Sequence, residues 1–283
     1  MARLGLLAVA RSPSLPVVVG ARQRCARTLR AVNSPASTAT GPSRSVALAG
    51  AFNFRDLGGY DAVDGRSVRW GALFRSDSLG QLTLDDVDAL RPLGLRTVID
   101  LRGTGEVDAA GSFPVAKYPV TLHHLSVMDR EWDPAAADLG TASEFLYAQY
   151  TTMLDETGAR YADALRRLAL PGSLPAVFHC AAGKDRTGLL AMLVLGALGV
   201  SDGDIVDDYA LTAATMDAFL TARSADPTFA DRIAALPATF FAADPSALAR
   251  APLRRAQLAV PPVGRADVPG VAGTSGRAGS GGT

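Results

Sequence analysis

Cysteine is nearly absent from this 283-residue chain: Cys25 and Cys180 are the only two. Two cysteines cannot build a disulfide framework. Histidine is also scarce, with three residues. Of these, His123 and His124 adjoin on a predicted strand and so face opposite sides, which makes them poor partners for one metal ion. No metal site and no cofactor is expected. Charge of either sign is not in excess: 28 basic residues balance 28 acidic ones. No global field therefore draws the chain to nucleic acid or to an anionic membrane. Trp70 and Trp132 read as packing or loop aromatics rather than as a base-stacking platform. No apolar run is long enough to span a bilayer, and Leu189 to Val200 suits a buried helix. Lysine is confined to Lys117 and Lys184.

The chain divides into three parts. No acidic residue precedes Asp56, and residues 1–44 are rich in Arg, Ala, Ser and Pro. They read as a disordered extension, an over-early start or a weak signal-like segment, with Leu4 to Ala10 as a minimal apolar stretch. Cytoplasmic location is the expectation, with secretion the alternative. Residues 45–250 carry the patterning of one folded domain. Residues 251–283 are rich in Pro, Gly, Ala and Ser, a composition that cannot bury enough apolar surface to order itself. A shifted reading frame near Ala249 would account for the change.

Within the domain, strands are predicted over Val68–Arg75, Arg96–Leu101, Tyr118–Val127 and Leu174–Phe178. Thr83 caps a helix through Leu93, with Asp85 and Asp86 in its first turn. Ser143 caps another through Leu154, and Ala159 to Leu170 forms a third, ended by Pro171-Gly172. Strands alternating with helices predict an α/β fold with a mostly parallel central sheet flanked by helices.

One stretch carries chemistry. His179-Cys180-Ala181-Ala182-Gly183-Lys184-Asp185-Arg186-Thr187-Gly188 lies between the apolar strand ending at Phe178 and an apolar helix running through Leu195. A tight loop between a strand C-terminus and a helix N-terminus is where an α/β protein binds an anion. Ala181, Ala182, Gly183 and Lys184 can turn backbone N–H groups inward as a nest for phosphate oxygens. Arg186 offers a planar fork for two of them. The same field, with the helix dipole behind it, favours the Cys180 thiolate, which is the nucleophilic form. The Thr187 hydroxyl can steady that thiolate, and His179 can orient the loop. A phosphocysteine intermediate also requires a general acid for the leaving oxygen. Asp185 lies inside the loop; Asp100 ends the strand Val98-Ile99-Asp100 and could reach the same sheet edge, or simply pair with Arg102. A nucleotide-binding P-loop is excluded, because Phe178 stands where its first glycine belongs and Asp185 where its Ser or Thr belongs.

The loop resembles the signature of cysteine-dependent protein tyrosine phosphatases, and the chain resembles a bacterial family of them. Asn53-Phe54-Arg55-Asp56-Leu57-Gly58-Gly59-Tyr60 is similar to that family's opening motif. Leu73-Phe74-Arg75-Ser76-Asp77 is similar to the next block, Val98-Ile99-Asp100-Leu101-Arg102 with Glu106 to the third, and Asp207-Asp208-Tyr209-Ala210-Leu211-Thr212 to the segment after the catalytic helix. The matches run in order from about Asn53 to about Leu248. The resemblance implies a phosphatase-type fold with a helical lid over residues 206–241. It implies Cys180 as nucleophile, Arg186 as phosphate binder and Asp185 as general acid. Lys184 falls where phosphoinositide-cleaving relatives carry lysine, but Ala181 stands where those relatives have a second one.

The expected function is hydrolysis of phosphate monoesters, with phosphotyrosine in proteins as first substrate and a phosphoinositide as the alternative. A non-catalytic module that reads the same ligands is the rival from another class. Arg55, Asp56, Arg75 and Ser76 read as structural or as pocket rim. Asp207 and Asp208 read as a solvated face or a lid hinge.

Overall fold

The computed structural model describes residues 43–128, 141–225, 241 and 244–250, together with the backbone of 9–11. The predicted disordered tail and most of the N-terminal extension lie outside the described residues, as does the part of the expected lid at 226–240. The strands are β1 (Val9–Arg11), β2 (Arg55–Asp56), β3 (Arg66–Val68), β4 (Leu73–Ser76), β5 (Thr97–Asp100), β6 (Thr121–His124) and β7 (Ala176–His179). The helices are α1 (Leu84–Leu90), α2 (Thr104–Ala110), α3 (Ala142–Leu168), α4 (Asp185–Leu198), α5 (Asp202–Ala210), α6 (Ala213–Arg223) and α7 (Pro245–Arg250).

The central sheet has the order β2-β4-β7-β5-β6. Only β2 runs antiparallel to its neighbour; the other pairings are parallel. Every residue of β4, β5 and β7 is buried, as expected where helices cover both faces of a parallel sheet. Alternation sorts their side chains. Phe74, Val98 and Val177 point to a core shared with Val87 and Leu90 of α1. Leu73, Ile99 and Phe178 point to a larger core built with α3, α4 and α5. The register sets Ser76 beside His179, His179 beside Asp100, and Asp100 beside His124. Four strand C-termini therefore meet at one sheet edge, and the Cys180 loop leaves from the middle of it.

Three elements depart from the sequence-based expectation. The run Val68–Arg75 is not one strand. It breaks at Gly71, which has φ +69° and whose N–H is held by Asp56 Oδ2 at 2.7 Å. The edge strand β6 is shorter than the predicted Tyr118–Val127. The two helices expected between Ser143 and Leu170 are one 27-residue helix. Gly158 does not interrupt it, because Leu146, Tyr150, Met153, Tyr161, Leu165 and Leu168 form a continuous buried stripe on both sides of that glycine. Burial of such a stripe outweighs the roughly 1 kcal/mol that an interior glycine costs.

The N-cap of α3 is Thr141 rather than Ser143. Its hydroxyl accepts the Glu144 N–H at 3.3 Å, and the Glu144 carboxylate accepts the Thr141 N–H at 2.8 Å. Ser143 instead meets Ser246 of α7 at 2.7 Å. Thr141→Ala is expected to lower stability by about 1 kcal/mol in urea unfolding. Ser143→Ala leaves the cap intact and should cost less; the opposite ranking would move the cap to Ser143.

Candidate active site

Strand β7 ends at His179, Cys180 follows it, and α4 begins at Asp185. The Cys180 thiol is free and only 2% exposed. Gly183 makes the turn possible in two ways. Its φ of +68° disfavours any residue with a side chain, and an added Cβ would lie 2.6 Å from the Ser76 carbonyl oxygen.

The loop is held from outside by its carbonyls. The Ser78 N–H donates to Ala181 O at 2.9 Å. Asn53 Nδ2 lies 3.2 Å from both Ala182 O and Gly183 O. Arg75 Nη2 donates to Gly183 O at 2.7 Å. A planar trans peptide points its N–H opposite to its C=O. The N–H groups of Ala182, Gly183 and Lys184 therefore turn away from these partners, towards the hollow the loop encloses. The first-turn N–H groups of α4 add to them, since the first intrahelical bond is Gly188 N–H to Lys184 O. The loop thus has N–H groups that its carbonyl partners leave available.

Arg75 and Asn53 are in turn fixed by a buried charge cluster centred on Asp208. Arg75 Nη1 lies 2.6 Å from Asp208 Oδ2, and Arg55 Nε lies 3.2 Å from Oδ1. Arg55 also donates to Asn53 Oδ1 and, at 2.8 Å, to the Asp208 carbonyl. Tyr60 adds its hydroxyl at 3.2 Å. Burial pushes the Asp208 carboxyl up, but the two guanidiniums outweigh it and hold it below the usual carboxylate range. Burial and the neighbouring Arg75 lower Arg55 to about 10 despite the Asp208 charge. Asp208 is 1% exposed, which corrects the reading of it as a solvated or hinge residue; Asp207 beside it is exposed. No local sequence signal gave this: Arg55 and Arg75 become neighbours only when β2 pairs with β4, and two adjacent buried cations then require a carboxylate.

Arg186 and Asp185 each have a defined partner. Arg186 is clamped by Glu106 of α2, Nη1 to Oε2 and Nη2 to Oε1 at 2.8 Å. Burial alone would lower the Arg186 pKa, but the Glu106 bonds and the Cys180 and Glu106 charges raise it well above the ordinary value. Asp185 accepts the Tyr150 hydroxyl at 2.5 Å on Oδ1, and Lys184 Nζ stands 3.6 Å from the same oxygen. The buried Thr187 hydroxyl has no hydrogen-bond partner among the described residues. Asp100 lies at the same sheet edge but is engaged elsewhere. Arg102 Nη2 holds its Oδ2 at 2.6 Å and Arg102 Nε its Oδ1 at 2.9 Å. Burial raises the Asp100 pKa, yet His179 and Arg102 hold it below the usual range. His179 orients through Nδ1 to the Cys180 carbonyl at 3.3 Å. No group of three or more His, Cys, Asp or Glu among the described residues could hold a metal ion.

One further carboxylate supports the loop. Asp77 Oδ1 accepts the N–H groups of Phe52 and Asn53, each at 3.0 Å, so it fixes the turn that presents Asn53 to the loop. Its Oδ2 is buried and has no hydrogen-bond partner among the described residues. Burial pushes its pKa up to about 6, against those backbone bonds.

A family model described as the tyrosine phosphatase family matches residues 46–254. A putative tyrosine-protein phosphatase of Cupriavidus necator is 32% identical over 186 residues, covering 62% of this chain and 66% of that protein. A tyrosine-protein phosphatase of Nostoc commune is 32% identical over 142 residues, 50% of this chain and 48% of that one. The triple specificity protein phosphatase PtpB of Mycobacterium tuberculosis is 33% identical over 189 residues, 57% of this chain and 67% of that one. The chain thus spans between about half and two thirds of the length of these relatives.

The Asp77 environment gives stability a pH dependence. Between the ordinary value of 3.8 and the folded value of about 6, the folded form holds a proton that the unfolded form has lost. Stability from this group therefore falls as pH rises through that window and is level above it. Asp77→Asn does not titrate there. Relative to wild type, the variant should gain up to about 3 kcal/mol in urea unfolding between pH 4 and pH 7. A stability difference that stays constant across that range would contradict the raised pKa.

Proposed function

The chain belongs to the tyrosine phosphatase family, and on that premise we propose that it is a metal-independent protein tyrosine phosphatase working through a phosphocysteine. The observation that carries this reading is the pairing of a buried free thiol with a donor-lined loop and an arginine that Glu106 holds in place.

Cys180 attacks phosphorus as the thiolate. The S–P bond forms while the bond to the ester oxygen breaks. Asp185 gives its proton to that oxygen, so the leaving group departs as the neutral phenol. The N–H groups of the Ala181–Lys184 loop and the Arg186 fork hold the three equatorial oxygens; such preorganised donors supply the largest share of stabilisation in many enzymes. Water then attacks the phosphocysteine and gives a proton to Asp185. The S–P electron pair returns to Cys180 as inorganic phosphate leaves. The free Thr187 hydroxyl is suited to donate to that thiolate. Asp100 supports the edge of the site through Arg102 and His179.

Phosphotyrosine in proteins is the first substrate. A phosphoinositide is the second reading, favoured by Lys184 in the loop and disfavoured by Ala181 beside the nucleophile. Turnover on a phosphopeptide against that on a soluble inositol phospholipid separates them. A reactive thiol requires a reducing compartment, which favours the cytoplasm; no described helix is long and apolar enough to cross a membrane.

Purified protein in EDTA and a thiol reductant should hydrolyse p-nitrophenyl phosphate, and Cys180→Ser should abolish turnover while phosphate binding survives. Turnover at the wild-type rate in that variant would sink the mechanism; a folded wild type without turnover would favour a non-catalytic phosphate-binding module. On phenyl phosphate, whose departing oxygen needs a proton, Asp185→Asn should slow turnover about 100-fold, the scale of a lost general acid, and more than Asp100→Asn does. The reverse ranking would move the acid to Asp100.

A further inference from the structure

Behind Asp185 stands a chain of buried hydroxyls that the reaction as written does not use. Tyr150 of α3 donates to Asp185 Oδ1 at 2.5 Å, and its hydroxyl lies 2.7 Å from that of Tyr209 of α5. Both tyrosines are fully buried, and their rings meet edge to face with centroids 6.4 Å apart. Resting on the reading of Asp185 as general acid, we propose that Tyr150, backed by Tyr209, is the positioning residue that assigns the transferable proton to Asp185 Oδ2.

The assignment follows from counting protons. A phenol has one to donate. Tyr150 spends it on Asp185 Oδ1, so Tyr209 is the donor in the Tyr150–Tyr209 contact. The chain is polarised in one direction, from Tyr209 through Tyr150 to Asp185. Lys184 Nζ also faces Oδ1, at 3.6 Å. With Oδ1 committed as an acceptor, a neutral Asp185 carries its hydrogen on Oδ2. That proton passes to the ester oxygen as the P–O bond breaks. The negative charge left on the carboxylate is then shared with Oδ1, where the Tyr150 bond becomes charge-assisted and stronger. When water attacks the phosphocysteine, Oδ2 takes a proton back and the chain returns to its starting state.

The surroundings keep the phenols in this role. Burial, followed by the Asp185 charge, raises both well above the ordinary tyrosine value, so they remain protonated donors across the working pH range. Gly188 leaves room for the second of them: a Cβ there would lie 2.9 Å from the Tyr209 ring. Tyr209 also follows Asp208, whose partner Arg75 holds the loop carbonyl of Gly183. One turn of α5 thus supports both the oxygen cradle and the acid.

Leaving-group dependence tests this. Phenyl phosphate needs a proton on its departing oxygen, whereas the nitro group of p-nitrophenyl phosphate stabilises the departing anion. Tyr150→Phe keeps the ring and removes only the hydroxyl. It should lower kcat on phenyl phosphate by about tenfold with KM unchanged, and on p-nitrophenyl phosphate by less than about threefold. In an Asp185→Asn background the same substitution should cost nothing further. Tyr209→Phe retains the Tyr150–Asp185 bond and should show a smaller loss of the same selectivity. Equal losses on both substrates, an undiminished loss in the Asp185→Asn background, or a Tyr209→Phe loss matching that of Tyr150→Phe would each overturn the proposal. A wild type active through Cys180 with an unimpaired Tyr150→Phe overturns only the positioning role; a wild type without Cys180-dependent turnover overturns the phosphatase reading with it.

Discussion

A single carboxylate, that of Asp208, lies between two buried guanidiniums, and the catalytic loop depends on it. Arg55 and Arg75 are neighbours across antiparallel strands, both removed from water. Without a shared anion they would repel each other in a medium that screens poorly. Asp208 satisfies both and fixes their orientations. Arg75 can then reach the Gly183 carbonyl, and Arg55 can hold Asn53 against the carbonyls of Ala182 and Gly183. The cluster retains one positive charge more than its carboxylate cancels. That surplus is held in a buried place, where it costs folding free energy. The loop and the charge cluster that braces it are therefore one construction.

Three helices brace this construction from different directions. Helix α5 supplies Asp208 and Tyr209, α2 supplies Glu106, and α3 supplies Tyr150 together with Tyr161, whose hydroxyl lies 3.4 Å from the Arg186 carbonyl. None of these side chains belongs to the loop. Glu106, Tyr150 and Tyr161 each contact a residue that does, while Asp208 and Tyr209 act one step further out, through Arg75 and Tyr150. Donors held in place beforehand need not reorganise as charge develops on phosphorus, which is the condition under which they lower a barrier most.

The parts of this site differ in how far they could be read from the residues alone. Strand, loop and helix at Ala176–Leu198 are local: apolar runs and turn-forming glycines lie within a few residues of one another, and the structure follows them closely. The parallel sheet also follows from alternating elements. Asp208 could not be assigned in the same way, because its partners lie 133 and 153 positions away. An aspartate pair on a short helix has the same local pattern whether it faces water or two arginines. Glu106 belonged to a recognised block, but its contact with Arg186 spans 80 positions. Asp100 was placed at the correct sheet edge with pairing to Arg102, two residues away, as one of its two readings, and Arg102 folds back over both its oxygens. The length of α3 was misread for a related reason. Gly158 is a local breaker, and the stripe that overrides it is stabilised by residues of α4, α5 and α7 distant in sequence.

The clamp on Arg186 raises the question of whether the guanidinium remains able to bind phosphate, and donor counting answers it. A guanidinium has five N–H groups on three edges. Glu106 takes one hydrogen from each terminal nitrogen, along the edge between Nη1 and Nη2. The Nε–H and one terminal hydrogen remain on an adjacent edge, and they form a second parallel fork that matches two oxygens of a phosphate. Glu106 does not compete for that edge. It fixes the plane of the group, while its own carboxylate is secured by the Gly103 N–H at 2.8 Å. A lysine at the same position would present one compact charge and could not meet a carboxylate and a phosphate on separate edges. The proposed role of Arg186 thus calls for arginine by its shape as much as by its charge, since a phosphate bound as proposed would meet the second fork while Glu106 keeps the first.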